Sequence, residues 1–70
     1  MAEFNHKMLL KLREEKGWSR RELMLKLHDL GVSISESSIE NWENNVSTPD
    51  IEKIVPLARL FGTTAEALVK

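Results

Sequence analysis

Few side chains in this sequence can do chemistry, and their spacing limits what the chemistry is. There is no cysteine, which removes disulfides, thiolate metal sites and a thiol nucleophile. The two histidines, His6 and His28, stand far apart with no clustered partners, so no metal or other cofactor is expected. His28 reads as an exposed residue interacting with a nearby helix end. Glu36 and Glu40 are one helical turn apart, the spacing that puts two carboxylates on one face. Such a pair can act as acid and base. No nucleophile, base or oxyanion donor accompanies it, so a solvated acidic face is expected and an enzyme is not. The adjacent cations Arg20 and Arg21 read either as phosphate-binding groups or as a solvated face.

The chain sets bounds on any function built from these groups. Seventy residues make one small domain, 1–70, which buries only about 60% of the surface its unfolded form exposes. That leaves room for a compact core but not for a core and a deep cleft. No apolar run reaches the ~18–20 residues that span a bilayer. Residues Met1–Lys11 lack the basic-then-apolar layout of a signal peptide, so a soluble, cytoplasmic protein is expected. Ten Lys and Arg face eleven Asp and Glu, for a net charge of −1. The charge is polarised along the chain. Residues 1–30 hold seven cations against five carboxylates, and residues 31–70 hold three against six. A surface that meets phosphate must draw on the first half.

The elements that would position these groups are all helical. No segment alternates apolar and polar residues long enough for a strand. The first helix is read from about Asn5 to Lys16. Phe4, Met8, Leu9 and Leu12 lie on one face, Leu10 lies off it and is expected to be exposed, and Gly17 is the stop. The second runs from Arg20 to Asp29 or Leu30. Ser19 and Glu22 form a capping box, Trp18 and Leu23 form a staple, and Leu23, Leu27 and Leu30 form the buried edge. Gly31 stops it. Ser35 caps the third, from Glu36 to Asn44, with Ile39 and Trp42 inward and Glu36, Ser37, Glu40 and Asn41 outward. Asn44-Asn45 supplies the left-handed end. Thr48 is read as the cap of the fourth helix, with Pro49 at its first position. Pro56 conflicts with a regular helix to Phe61. Either residues 50–54 form a separate turn or the helix is irregular there. Thr63 or Thr64 caps a last short helix through Val69.

Two capped helices joined by a short connection are a helix-turn-helix candidate. The residues around them are more specific. They are Leu12-Arg13-Glu14-Glu15-Lys16-Gly17-Trp18-Ser19, Arg21-Glu22-Leu23, Ser35-Glu36-Ser37-Ser38-Ile39-Glu40-Asn41-Trp42-Glu43-Asn44, Thr48-Pro49-Asp50 and Leu57-Ala58-Arg59-Leu60-Phe61-Gly62. In order and spacing, over about residues 8–69, the chain resembles the xenobiotic-response-element (XRE) family of Cro/repressor-type DNA-binding domains. That resemblance implies an all-α fold: a compact five-helix bundle of the phage-repressor type, with helices 2 and 3 as the helix-turn-helix. The third helix would enter the major groove N-terminal end first. Carried over by position, Glu36 and Ser37 fall where the family reads bases, and Asn41 where it reads bases or touches backbone. Ser38 and Asn44 match phosphate-contacting positions. Arg20 stands where the family often has a glutamine that donates to a phosphate. The resemblance also implies an ion pair between Glu43 and Arg13 that orients helix 3 on helix 1.

Four features depart from the family pattern. The third helix carries Glu36, Glu40 and Glu43 without a Lys or Arg, and the loop Asn45-Val46-Ser47 holds none of the family's basic residues. Residues 28–33 lengthen the connection, and Met24 stands where the family usually has alanine at the close helix–helix approach. Without those cations, a monomer is expected to bind DNA weakly. Two functions follow. The first is the sequence-specific DNA-binding domain of a transcriptional regulator. Its partner is double-stranded DNA, bound as a homodimer or as the N-terminal part of a longer chain. The second is a protein-interaction module whose acidic helix-3 face binds a basic partner.

Overall fold

The structure is a computed structural model that describes residues 3–69. Met1, Ala2 and Lys70, which the sequence reading includes in the 1–70 domain, lie outside the described residues. Four α-helices follow one another: α1 (His6–Lys16), α2 (Arg20–Asp29), α3 (Glu36–Glu43) and α4 (Ile51–Phe61). A 3₁₀ turn, Ala65–Leu68, comes last.

The helices start and stop for local reasons. Asn5, Ser19 and Ser35 cap α1, α2 and α3 through side-chain oxygens. Each accepts an amide of the first helical turn, which has no carbonyl four residues back within the helix to bond. The ends share one pattern. After α1, Gly17 takes φ +72°, a left-handed conformation that costs glycine little. Its amide bonds the carbonyl of Glu14, and the amide of Trp18 reaches back to Arg13. These two bonds cover carbonyls the last turn would otherwise leave open. The same two bonds recur after α2, α3 and α4. At α3 the left-handed residue is Asn45, with φ 60°. Asn44 keeps a right-handed cap conformation, so the turn falls one residue later than the first of the expected asparagine pair.

Five other expectations are corrected. Leu30 is 45% exposed, because α2 ends at Asp29 and the chain turns before its side chain can reach the core. The start of α4 is Ile51, with Asp50 as its cap. Thr48 and Pro49 precede the helix, and Pro49 is buried there rather than in the first turn. Pro56 sits inside a continuous α4. Its ring removes only the bond to the carbonyl of Glu52, four residues back, and Glu52 is exposed, so solvent can satisfy that carbonyl. The expected fifth helix is a four-residue 3₁₀ turn whose Thr64 makes no side-chain cap bond. Leu10 is half-buried rather than exposed.

One core joins these pieces. Leu9, Leu23, Leu27, Ile39, Leu57 and Leu68 are fully buried, with Phe4, Trp42, Ile54, Ala58 and Phe61 around them. A lone antiparallel bridge joins Phe4 to Val69, and the amide of Asn5 bonds the carbonyl of Leu68 at 2.7 Å. The two ends of the described chain are thereby fastened to each other beside α1 and α4. At the α1–α2 turn, Trp18 stacks on Phe61 with ring centroids 5.6 Å apart, and Lys26 Nζ stands 4.7 Å from the Trp18 ring centre. That distance is within cation–π range.

Candidate nucleic-acid interface

The site is built on α2, α3 and the turn between them. At the start of α2, Ser19 Oγ accepts the Glu22 amide at 3.0 Å, and Glu22 Oε1 accepts the Ser19 amide at 3.1 Å. This reciprocal box fixes where α2 begins. At the start of α3, Ser35 Oγ accepts the Ser38 amide at 3.3 Å. Across the lengthened turn, His28 Nε2 lies 2.8 Å from the carbonyl oxygen of Ile34. A carbonyl only accepts, so Nε2 carries the proton and donates. The helix-end role expected for His28 is thus a brace between α2 and the residue before the α3 cap.

Glu43 sets how the helices meet. Its side chain is 1% exposed. Arg13 of α1 grips both carboxylate oxygens, with Nε donating at 2.5 Å and Nη2 at 3.2 Å. Arg20 of α2 donates from Nε at 2.9 Å. Arg13 Nη1 also donates to the carbonyl of Trp18 at 2.8 Å. One buried carboxylate therefore ties the last turn of α3 to α1 and to the first turn of α2. Among the described residues, no buried side-chain nitrogen or oxygen lacks a partner. A buried pair of this kind fixes orientation more surely than it adds net stability. The hydrogen bond to Glu43 pushes the pKa of the Arg20 guanidinium above its ordinary value. Burial opposes the shift, and attraction to Glu43 and Glu40 adds to it.

The outer face of α3 carries the remaining charges. Arg20 Nη1 is 3.5 Å from Glu40 Oε2, and Arg21 Nη1 is 3.5 Å from Glu36 Oε1. Both glutamates are about half exposed, at 52% and 46%. Such pairs are worth about 0–1 kcal/mol. They neutralise the acidic face from α2 without locking it.

The structure places the six sequence-derived site residues unevenly. Glu36 and Ser37 are exposed on the first turn of α3, and Asn44 is exposed at its end. Ser38 is half-buried, its hydroxyl 3.3 Å from that of Ser35. Asn41 is half-buried on the edge of the face, and its carbonyl accepts the amides of Val46 and Ser47. Arg20 is drawn onto Glu43 and Glu40. Sequence reasoning missed the Arg20–Glu43 and Arg21–Glu36 contacts. They join residues of different helices, and no short-range spacing signals them. A groove of about 540 Å³ opens between the α2–α3 turn and the start of α4, with Ser33, Ser35, Thr48 and Lys53 on its walls. Among the described residues, no three His, Asp or Glu side chains gather as ligands for an ion, and no helix is long and apolar enough to cross a membrane.

Two capped helices held at a fixed angle, the second with its outer face open, define a helix-turn-helix unit. A family model described as a helix-turn-helix domain matches residues 6–70, and the chain belongs to that family. Comparison with curated proteins and with solved structures gave no match.

Proposed function

We propose that this chain is the sequence-specific DNA-binding domain of a transcriptional regulator of the XRE type, with α3 as the recognition helix in the major groove. The observation that carries the reading is the mounting of α3. Its inner face is locked by Ile39, Trp42 and Glu43, while Glu36, Ser37 and Asn44 stay exposed. A helix so held can present the same side chains to a groove each time it docks, which direct base readout requires. Family membership supports the same reading. Asn41 and Ser37 supply donors and acceptors that base edges match, and a glutamate can accept from a cytosine amino group. Ser38 and Asn44 take phosphate contacts, and Arg20 reaches a phosphate by exchanging its weaker partner Glu40 for it. The reading gives the chain no catalytic role. Pairing on palindromic half-sites, as a homodimer or within a longer chain, supplies affinity that a weakly charged unit lacks.

The acidic α3 face favours one second reading. Two half-exposed glutamates and no cation on α3 suit a basic protein partner. A salt series of binding to duplex DNA separates the two. Counterion release makes log K fall with log salt by about 0.9 per phosphate neutralised. A slope of several units supports the DNA reading. A slope near zero removes it and leaves the protein partner.

A further inference from the structure

We infer that the outward stripe of α4 is a self-complementary interface through which a second copy of this chain docks antiparallel. Most of α4 faces the core through Ile54, Leu57, Ala58 and Phe61. Its opposite side carries Ile51, Glu52, Val55 and Arg59, all exposed. Ile51 is 65% exposed and Val55 44%. At 100° per residue these four fall within about a third of the helix circumference, one continuous stripe. Leaving two large aliphatic side chains in water on one helix face is costly for a monomer, at about 25 cal/mol per Å² of apolar surface.

The charges say what covers the stripe. Glu52 and Arg59 are two turns apart, equally far from the peptide joining Val55 to Pro56. Neither is in an ion pair among the described residues, whereas Asp50 and Lys53, on the same end of the helix, pair with each other. A two-fold axis through the middle of α4 sets Glu52 of one copy against Arg59 of the other, twice. It sets Val55 against Val55, and it lays the aliphatic stem of each Arg59 over Ile51 of the other copy. An identical copy is the partner this pattern fits, because an isologous contact needs a surface that complements itself. The contact is small. An eleven-residue helix is about 16 Å long, so the area lies at the low end of protein interfaces, below about 1,200 Å² in total. The dimer is transient and populated at high concentration or on paired half-sites. The inference gives the paired half-site reading its interface, but the contact itself does not require DNA.

The chain has no cysteine, so a single introduced thiol reports on proximity. Val55→Cys lies next to its counterpart across the two-fold, and Leu25→Cys, exposed on α2, serves as the control. On mild oxidation without DNA, Val55→Cys is expected to form the disulfide dimer at least about tenfold faster, as the raised local concentration dictates. In sedimentation equilibrium of the uncrosslinked chain at high concentration, Glu52→Arg alone and Arg59→Glu alone are expected to weaken self-association. The double reversal is expected to restore it. Melting curves confirm that these exposed changes leave the fold intact. Equal crosslinking of the two cysteine variants overturns the inference. So does a double reversal that associates no better than the singles, or a wild type that does not self-associate at all. Loss of DNA binding with preferential crosslinking intact removes the DNA reading and leaves the interface standing.

Discussion

Trp42 and Glu43 are neighbours at the end of α3, both buried, and they fix the helix by different physics. Trp42 fills volume. Trp42→Ala leaves a cavity that a small core cannot close, and it is expected to cost about 3–5 kcal/mol. Against a total that for a small domain lies near the lower end of ~5–15 kcal/mol, that nearly unfolds the chain. A cooperative urea transition close to the wild-type midpoint would show that Trp42 is not core. Glu43 fixes orientation. Glu43→Gln removes the charge that Arg13 and Arg20 face and leaves the partly buried Arg13 without a counter-ion. It is expected to cost about 2–4 kcal/mol, toward the low side of a broken buried pair because Arg20 is partly solvated. Arg21→Ala, which removes only the exposed contact to Glu36, is expected to change stability by less than about 1 kcal/mol. Equal losses in Glu43→Gln and Arg21→Ala would place Glu43 in solvent. These residues differ in how visible they are in the sequence. Trp42 stands three positions after Ile39, and that spacing alone turns both inward. The Arg13–Glu43 pair is legible only through the family resemblance. Arg20–Glu43 is not legible at all, because it depends on the crossing of α2 and α3, which no local pattern encodes.

At the scale of the element, a helix end that carries one side-chain signal is legible in the sequence, and an end with two competing signals is not. The Ser19–Glu22 box is a pair of reciprocal bonds, so α2 begins where the sequence says. In Thr48-Pro49-Asp50, two residues can cap and proline fits a first turn, so local rules allow more than one start. The choice is made by packing. Pro49 is buried and lines the same groove as Ile34 and Trp42, and α4 starts beyond it. The last segment follows from length. Between Gly62 and Val69 the chain has room for four residues of 3₁₀ turn before it bridges to Phe4. That bridge joins opposite ends of the sequence and escapes any reading of local periodicity. The caps make a direct comparison. Ser19→Ala is expected to cost about 1 kcal/mol, the value of a lost cap bond. Asp50 makes no side-chain cap bond, and Asp50→Ala is expected to cost less than about half as much, the remainder being its attraction to the helix dipole. Thermal melts of the two variants check the order, and a larger loss for Asp50→Ala would put its carboxylate on the α4 amides.

For the whole molecule, the proposed function asks how a chain with net charge −1 would meet a polyanion. The cations of α2 already answer the carboxylates of α3, through Arg20 with Glu40 and Arg21 with Glu36. The docking face is therefore close to neutral. On the proposed DNA-binding reading, DNA competes with the glutamates for these arginines, whose guanidinium groups stay charged at every pH at which binding is measured. Salt and substitution, rather than pH, are the handles. If α3 enters the major groove N-terminal end first, as proposed, Glu36 lies nearest the bases and Glu40 one turn back toward the phosphates. Glu40→Gln removes a like charge and releases Arg20 Nη1. It is expected to strengthen binding to all duplexes alike and to steepen the salt slope, without changing the preferred site. Glu36→Gln exchanges an acceptor for a side chain that bonds adenine in a bidentate way. It is expected to shift preference at one base pair toward adenine by about 1–3 kcal/mol. Site selection on the wild type and both variants at one fixed salt concentration measures the two effects together. If the Glu36 variant selects the wild-type site, Glu36 does not read a base. If Glu40→Gln instead changes which site is chosen, α3 lies deeper or is turned in the groove. If none of the three selects any site, sequence-specific binding is lost as a mechanism. The acidic face would then be left to a basic protein partner, whose binding Glu36→Gln and Glu40→Gln should both weaken.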